Sequence, residues 1–242
     1  MTPPFFIGWS TASARPLAGF LAGCIALALV GSAALALALG ARVDDPGSGE
    51  WIGDRVYQGV VVATPYPMVV TDPSPGFPDG HAGMLSGGGK RGAQAMADPL
   101  AGQRVQVSGG MVRRGTLEML FVNEITPLQA PARAIERAPL GTWRVVGEIC
   151  DGKCTTGAMR PGDGLAHKAC ANVCILGGVP PVLVTAGPVE GHSFLLMGDT
   201  EGRALPPSFR DHVGLRRRME GRVERIGDLL VFRTDVDKAA VP

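Results

Sequence analysis

Two stretches of the chain share one pattern: GQRVQVSGGMVRRGTLEML at residues 102–120 and GLRRRMEGRVERIGDLLVF at residues 214–232. Counted from the first Gly of each stretch, both have Gly at +7, Arg at +11, Gly at +13, Leu at +15 and an apolar residue at +18. Val105 and Val107 alternate with polar neighbours, which is typical of a half-buried strand. The pattern predicts a strand, a Gly turn at +7, a second strand, a hairpin turn ending at +13, and a third strand.

Each repeat is also preceded by a strand-like run, at 57–62 in the first case and at 143–149 in the second. A short sheet that closes into a barrel loses its exposed edges. We therefore predict a mostly β protein with two tandem small antiparallel barrels of OB-like type, at 51–128 and 141–237. The residues between them, 129–140, are rich in Ala, Pro and charge and are expected to form a linker, either a short helix or an extended spacer.

Composition agrees with short strands and excludes one broad class of function. The chain has 35 Gly and 20 Pro, only 5% aromatic residues, and a formal net charge of +1. A general nucleic-acid-binding protein would show a basic excess. The three arginines at 216–218 would also be split between the two faces of a strand. We therefore expect no nucleic-acid partner.

The N-terminal part predicts a membrane anchor. Residues 17–40 form a run of 24 residues without a charge. At about 1.5 Å per residue, a helix of this length crosses a hydrocarbon core of roughly 30 Å. We predict a short N-terminal segment, 1–16, followed by a single uncleaved transmembrane helix in the inner (cytoplasmic) membrane. The flanking charges favour an extracytoplasmic, periplasmic location for the rest of the chain.

Two other interpretations of this run remain open. A cleaved signal peptide would have Ala-Leu-Ala at 36–38 as its cleavage site, although its apolar region would normally be about 7–15 residues long. A lipoprotein signal would be cleaved before Cys24, although most of the apolar run follows this cysteine rather than precedes it.

The cysteines and one histidine concentrate in GEICDGKCTTGAMRPGDGLAHKACANVCILGGVPPVLV, residues 147–184. Gly147 lies 67 residues before Gly214, whereas Gly59 lies only 43 residues before Gly102, so the second barrel has an insertion here. We predict a helix over 165–176 that ends at two glycines.

The predicted helix brings potential metal ligands together. Its His and two Cys stand at i, i+3 and i+7 and therefore share one face, and another Cys arrives from the preceding turn. Four side chains form the candidate site: Cys154, His167, Cys170 and Cys174. A Cys₃His set binds zinc tetrahedrally, and thiolates also suit Cu(I). Asp151 and His192 are candidates for orienting the ligand histidine or for replacing it.

The same cysteines permit two other interpretations. Outside the cytoplasm, cysteines commonly form structural disulfides, and Cys154 would then pair with Cys170 or Cys174. A depressed thiol pKa near the start of the helix would instead favour thiol–disulfide exchange through Cys154 and Cys170.

Residues 147–184 resemble a group of uncharacterised bacterial exported or membrane-anchored proteins. The shared pattern is D-x-x-C, a Gly-rich loop, H-x-x-C-A-x-x-C and a Gly-Pro turn. It is carried here by Asp151, Cys154, His167, Cys170, Ala171, Cys174, Gly178 and Pro180. The resemblance extends over the anchor and both β units and implies no specific activity. An aliphatic residue is expected at position 150, so Cys150 is the odd cysteine, expected to be buried on its strand or paired opportunistically.

No motif of a known catalytic machinery stands out. The stretch GMLSGGGKRG at 83–92 departs from the phosphate-loop pattern, because Arg91 follows Lys90 where Ser or Thr is needed. We expect a mobile surface loop there. The sequence predicts no enzyme but an accessory protein that handles a metal or supports a membrane protein complex.

Overall fold

The structure, a computed structural model, describes residues 15–40 and 49–242. The chain divides into two compact units, Met1–Asp45 and Pro46–Pro242. Most of the predicted segment 1–16 lies outside the described residues. In the first unit, helix α1 (Arg15–Gly40) is apolar and uncharged over Leu17–Gly40 and leaves side chains such as Leu27 exposed. Such a helix is long and apolar enough to span a membrane.

The second unit contains two closed five-stranded barrels. The first barrel is built from β1 (Glu50–Val62), β2 (Met68–Thr71), β3 (Ala82–Ser86), β4 (Arg104–Arg114) and β5 (Leu117–Pro127). Its strands close in the order β1-β2-β3-β5-β4. All neighbours are antiparallel except β3 and β5, which are parallel. A short helix, α2 (Gln94–Ala97), and a 3₁₀ turn at Asp98–Leu100 lead into β4.

The second barrel has the same strand order and one additional feature. It is built from β6 (Ala138–Asp151), β7 (Pro181–Val189), β8 (His192–Gly198), β9 (Arg216–Ile226) and β10 (Leu229–Thr234), and β8 and β10 are its parallel pair. Helices α3 (Gly152–Thr156) and α4 (Gly164–Leu176) lie between β6 and β7. Further 3₁₀ turns lie at Pro207–Asp211 and Val236–Lys238. Residues 128–137, between the barrels, have no regular secondary structure.

The structure confirms that the chain begins its described part with an apolar helix and is mostly β after it. The predicted helix over 165–176 is present as α4, one residue longer at its start. The hairpin turns predicted at +13 are also present, because Gly115 and Gly227 connect β4 to β5 and β9 to β10. Both have a positive φ, 57° and 60°, which glycine adopts at little cost.

The turns predicted at +7 were wrong. Gly109 and Gly221 lie inside β4 and β9, which continue through them as single strands. A Cβ on Gly109 would stand 2.3 Å from the carbonyl oxygen of Phe121, and one on Gly221 would stand 2.4 Å from that of Arg233. These glycines allow a close approach of the neighbouring backbone, which is the other reason for a glycine within a strand pattern.

Buried side chains form three apolar clusters because several strands are buried on both faces. Leu85 of β3 and Phe232 of β10 point into their own barrels. Their neighbours Met84 and Val231 point the other way and meet in a third cluster that contains residues of both barrels. We call this third cluster the seam. The seam explains the uninterrupted apolar runs of these strands, since a strand covered on both faces needs no polar alternation.

We expect Gly109→Ala and Gly221→Ala each to lower the free energy of unfolding by about 1–3 kcal/mol, because the added methyl group overpacks the strand pair. The measurement is denaturant unfolding of the variants followed by circular dichroism. Gly187→Ala in β7 is the matched control, since its Cβ would meet nothing within 4 Å. Equal stability of Gly109→Ala and the control would contradict the close-approach argument.

Candidate metal centre

The candidate site lies in the connection between the first two strands of the second barrel. Residues 152–180 make this connection, whereas residues 63–67 join the corresponding strands of the first barrel. A Cβ on Gly152 would stand 2.9 Å from Cε of Met119, a seam residue of the first barrel. The insertion, residues 152–180, therefore packs where the two barrels meet.

The carboxylate of Asp151 organises the site. Asp151 ends β6 and is the N-cap of α3, where its Oδ1 accepts a hydrogen bond from the backbone N–H of Cys154 at 2.9 Å. Its Oδ2 lies 2.9 Å from Nε2 of His167 on α4. Both side chains are almost completely buried. One carboxylate thus fixes the positions of a strand end and two helices.

Three thiols converge beside this carboxylate. The Sγ atoms of Cys154, Cys170 and Cys174 all lie within 4.8 Å of one another. Cys154 and Cys174 are buried, and Cys170 is half-buried. Sulfur atoms bound to one tetrahedral zinc ion are about 3.8 Å apart, given Zn–S bonds of about 2.3 Å. Only small side-chain movements would therefore be needed to bring these three sulfurs, the three-thiol cluster, around one ion.

The predicted histidines lie at different places. His167 joins a second group of potential ligands with Asp151 and Cys154, whose ligand atoms are also within 4.8 Å of one another. The two groups share Cys154, so they are contiguous. Asp151 is the partner of His167, as considered from the sequence. His192 is not at the site, because it lies at the start of β8 with its Nδ1 3.1 Å from Oγ1 of Thr116.

Two lysines that the sequence analysis missed complete the site. Nζ of Lys90 lies 2.8 Å from Sγ of Cys170 and 3.7 Å from Sγ of Cys174. Nζ of Lys153 donates hydrogen bonds of 2.6 Å to the carbonyl oxygens of Gly87 and Gly89. Lys90 belongs to the segment 87–92 of the first barrel, which we call the lysine loop. Its signal in the sequence is a lysine within a glycine-rich run, a pattern that does not by itself indicate contact with the thiols.

The lysine loop is docked on α4, in contrast to the mobile surface loop expected. The N–H of Gly92 donates to the carbonyl oxygen of Gly177 at 2.8 Å, and Nε2 of Gln94 donates to that of Gly178 at 2.7 Å. The carbonyl of Gly177 lies at the C-cap of α4, where backbone acceptors lack intrahelical partners, and the carbonyl of Gly178 follows it directly. The first barrel therefore caps the helix that carries two of the thiols.

The site brings the pKa of one thiol down to the neutral range. A hydrogen bond from the Cys154 thiol, supported by the nearby Lys90 ammonium, lowers the pKa of Cys174 to about 7 in spite of its burial. The same hydrogen bond, together with burial and the Asp151 carboxylate, raises the pKa of Cys154. The hydrogen bond to Asp151 raises the pKa of His167. A thiolate is the form of cysteine that binds metals and attacks disulfides.

Cys150 is separate from this chemistry. It is buried on β6 within the seam, and its thiol donates a hydrogen bond of 3.4 Å to Oε1 of Glu148. Burial raises the pKa of its thiol. The expectation that Cys150 is buried on its strand is confirmed. Every cysteine in the described residues is a free thiol, so neither disulfide considered from the sequence is formed.

We expect Gly92→Ala to release the lysine loop, because a Cβ there would stand 2.1 Å from the carbonyl oxygen of Gly178. Amide hydrogen exchange of residues 87–94 should become faster, by about tenfold for each 1.4 kcal/mol of lost docking energy. Gly88→Ala in the same loop is the control, since its Cβ would meet nothing within 4 Å. Unchanged exchange in Gly92→Ala would show that the loop is not held by this contact.

Comparisons with protein-family models, with curated proteins and with solved structures return no match for this chain.

Proposed function

We propose that the protein is a non-enzymatic, membrane-anchored accessory protein that binds one transition-metal ion, zinc or copper. The observation that carries the proposal is the convergence of three cysteine sulfurs within 4.8 Å of one another, two of them buried. Soft thiolate ligands select zinc and Cu(I) among the common metals. His167, which shares Cys154 with this cluster, is the fourth ligand in a zinc-bound form.

The strand order of the two barrels supports the proposal. Both have a third and a fifth strand that pair in parallel and so close a five-stranded sheet. We interpret this order as OB-like, and in the OB-fold the loop between the first two strands is a frequent binding element. The insertion occupies that loop in the second barrel. We therefore propose two tandem OB-like barrels that arose by duplication, of which one acquired the metal site.

The apolar helix α1 supports an anchor in the inner membrane. With its N-terminus inside, the barrels are in the periplasm, where a metal-handling protein or a membrane redox complex is a suitable partner. Nucleic acid is not a proposed partner, since the chain has no basic excess.

The test is the metal content and free-thiol count of the full chain, purified in detergent without reductant or chelator. We expect about one metal ion per chain, and three additional reactive thiols after chelation. Cys150→Ala is the matched control, since it removes a buried thiol outside the three-thiol cluster and should keep the metal. Protein that takes up neither zinc nor Cu(I) when these are supplied would overturn the proposal.

One observation favours a second candidate, thiol–disulfide exchange. Cys154 and Cys174 share a hydrogen bond, and the pKa of Cys174 is lowered to about 7. These are properties of a reactive dithiol. Metal-free protein with Cys154 and Cys174 joined by a disulfide, and rapid reduction of that disulfide by a small dithiol, would favour this candidate over metal binding.

A further inference from the structure

The three-thiol cluster offers three ligands rather than four. Among the described residues, no imidazole or carboxylate joins all three sulfurs within the same 4.8 Å. His167 is grouped only with Asp151 and Cys154, and its Nε2 is 2.9 Å from the Asp151 carboxylate. Zinc in proteins takes four ligands. Cu(I) is a softer ion that is satisfied by two or three thiolates.

The charges around the cluster also distinguish the two ions. The ammonium group of Lys90 lies 2.8 Å from Sγ of Cys170, and that of Lys153 is held nearby by the lysine loop. Fixed positive charges repel a divalent cation twice as strongly as a monovalent one at the same position. Three thiolates with Cu(I) carry a net charge of −2, and with zinc a net charge of −1. The lysines therefore stabilise the copper complex more.

The side of the cluster that faces the seam is apolar and rich in sulfur. Met68, Met84 and Met119 are paired side by side across β2, β3 and β5 and are fully buried in the seam, which also contains Cys174. The methyl groups of Met84 and Met119 lie 3.4 and 2.9 Å from the Cβ position of Gly152, the first residue of α3. This apolar side penalises a divalent ion more than a monovalent one, because the divalent ion loses more hydration there.

We propose that the three-thiol cluster selects Cu(I) over zinc, with Lys90 as the positioning residue that sets this preference. The inference rests on the proposed metal-binding function and names its metal. Cu(I) binds through Cys154, Cys170 and Cys174, whose thiol protons are released to solvent. The copper keeps its oxidation state, so that binding requires no electron donor or acceptor.

The first test is X-ray absorption spectroscopy of the full chain in detergent, loaded with Cu(I) under anaerobic conditions. We expect three sulfur neighbours and no nitrogen neighbour. A nitrogen neighbour in the spectrum of the copper-loaded protein would overturn the inference.

The second test measures the affinities for Cu(I) and zinc by competition with chelators of known strength. Lys90 is exposed, so its replacement should leave the fold intact. Lys90→Gln should reduce the preference for Cu(I) over zinc by about tenfold, while Lys90→Arg, which keeps the charge, should retain it. An unchanged preference in Lys90→Gln would overturn the role of Lys90.

The outcomes separate the inference from the proposed function. Protein that binds zinc and keeps it in the presence of equimolar Cu(I) has a metal site but not the proposed selectivity. Protein that binds neither ion contradicts both. Circular dichroism of each variant establishes that a lost affinity reflects the site rather than the fold.

Discussion

Replacing Cys174 by Ser is expected to lower the metal affinity of the protein by more than about 100-fold. Cys174 is the thiol whose pKa is lowered to about 7, and it lies between Cys154 and Lys90. The substitution removes the ligand that is most easily deprotonated, and a serine hydroxyl is a poor ligand for soft ions. The measurement is competition for the metal against a chromophoric chelator, with the full chain in detergent.

Two control variants make this experiment specific. Cys150→Ser alters a buried thiol of the same barrel that lies outside both groups of potential ligands, and Cys24→Ser alters the thiol of α1. Both should keep the affinity within about threefold. Equal losses in Cys150→Ser and Cys174→Ser would mean that metal binding depends on the general integrity of the barrel and not on the three-thiol cluster.

The second large effect is expected at a buried ionic cluster formed by His81, Glu118 and Asp228. Nε2 of His81 lies 2.7 Å from Oε2 of Glu118 on β5, and Nδ1 lies 2.8 Å from Oδ2 of Asp228. Asp228 belongs to the turn between β9 and β10, and its Oδ1 accepts a hydrogen bond from the N–H of Ala82 at 2.7 Å. One imidazole ring therefore joins the two barrels.

We expect His81→Leu to destabilise the fold by about 3–5 kcal/mol near neutral pH, since it removes two charge-assisted hydrogen bonds, one to the buried Glu118 carboxylate and one to the half-buried Asp228 carboxylate. Burial alone would lower the pKa of His81, but the hydrogen bonds to Asp228 and Glu118 raise it to about 9. Burial would raise the pKa of Glu118, but the hydrogen bonds from His81 and Arg113 lower it to about 2. Both groups are therefore charged in the folded protein at neutral pH.

These shifts predict how the effect depends on pH. A raised histidine pKa stabilises the fold fully below pH 6.5 and loses this contribution as the pH rises through about 9. A lowered glutamate pKa contributes fully above pH 4.5 and is lost as the pH falls toward about 2. The stability difference between wild type and His81→Leu should thus be largest between pH 4.5 and 6.5.

Denaturant unfolding at a series of pH values measures this difference. His212→Gln, in the 3₁₀ region before β9, is the control and should shift stability by about 0.5 kcal/mol or less at every pH. A difference for His81→Leu that does not change between pH 5 and pH 10 would show that the cluster acts through packing rather than through charge.

Local patterns made the strands and the helix predictable from the sequence. The alternation around Val105 and the spacing of His167, Cys170 and Cys174 each depend on the geometry of one element, which the order of residues directly expresses. The prediction of a turn at +7 failed because a strand interior and a turn can both require glycine. Only the position of the backbone opposite Gly109 distinguishes the two cases.

The rest of the site could not be predicted because it is formed by residues distant in sequence. Lys90 is 80 residues from Cys170, and the two meet only because the barrels pack against each other. The same packing brings His81 to Asp228 across 147 residues. Single-sequence periodicity contains no information about such pairings, so the contact between the lysine loop and α4 could not be predicted.

The seam has a consequence for the synthesis of the chain. The outward faces of β2, β3 and β5 expose Met68, Val70, Met84 and Met119 unless the second barrel covers them. The covering strands β7, β8 and β10 come from residues 181–234, so they are made later than the whole first barrel. During that interval, a newly made first barrel exposes an apolar surface. Such a surface favours aggregation, or it requires a chaperone that binds the barrel until the second one has folded. Substitutions that slow synthesis or folding of the second barrel should therefore reduce the yield of the protein even where they leave its final stability unchanged.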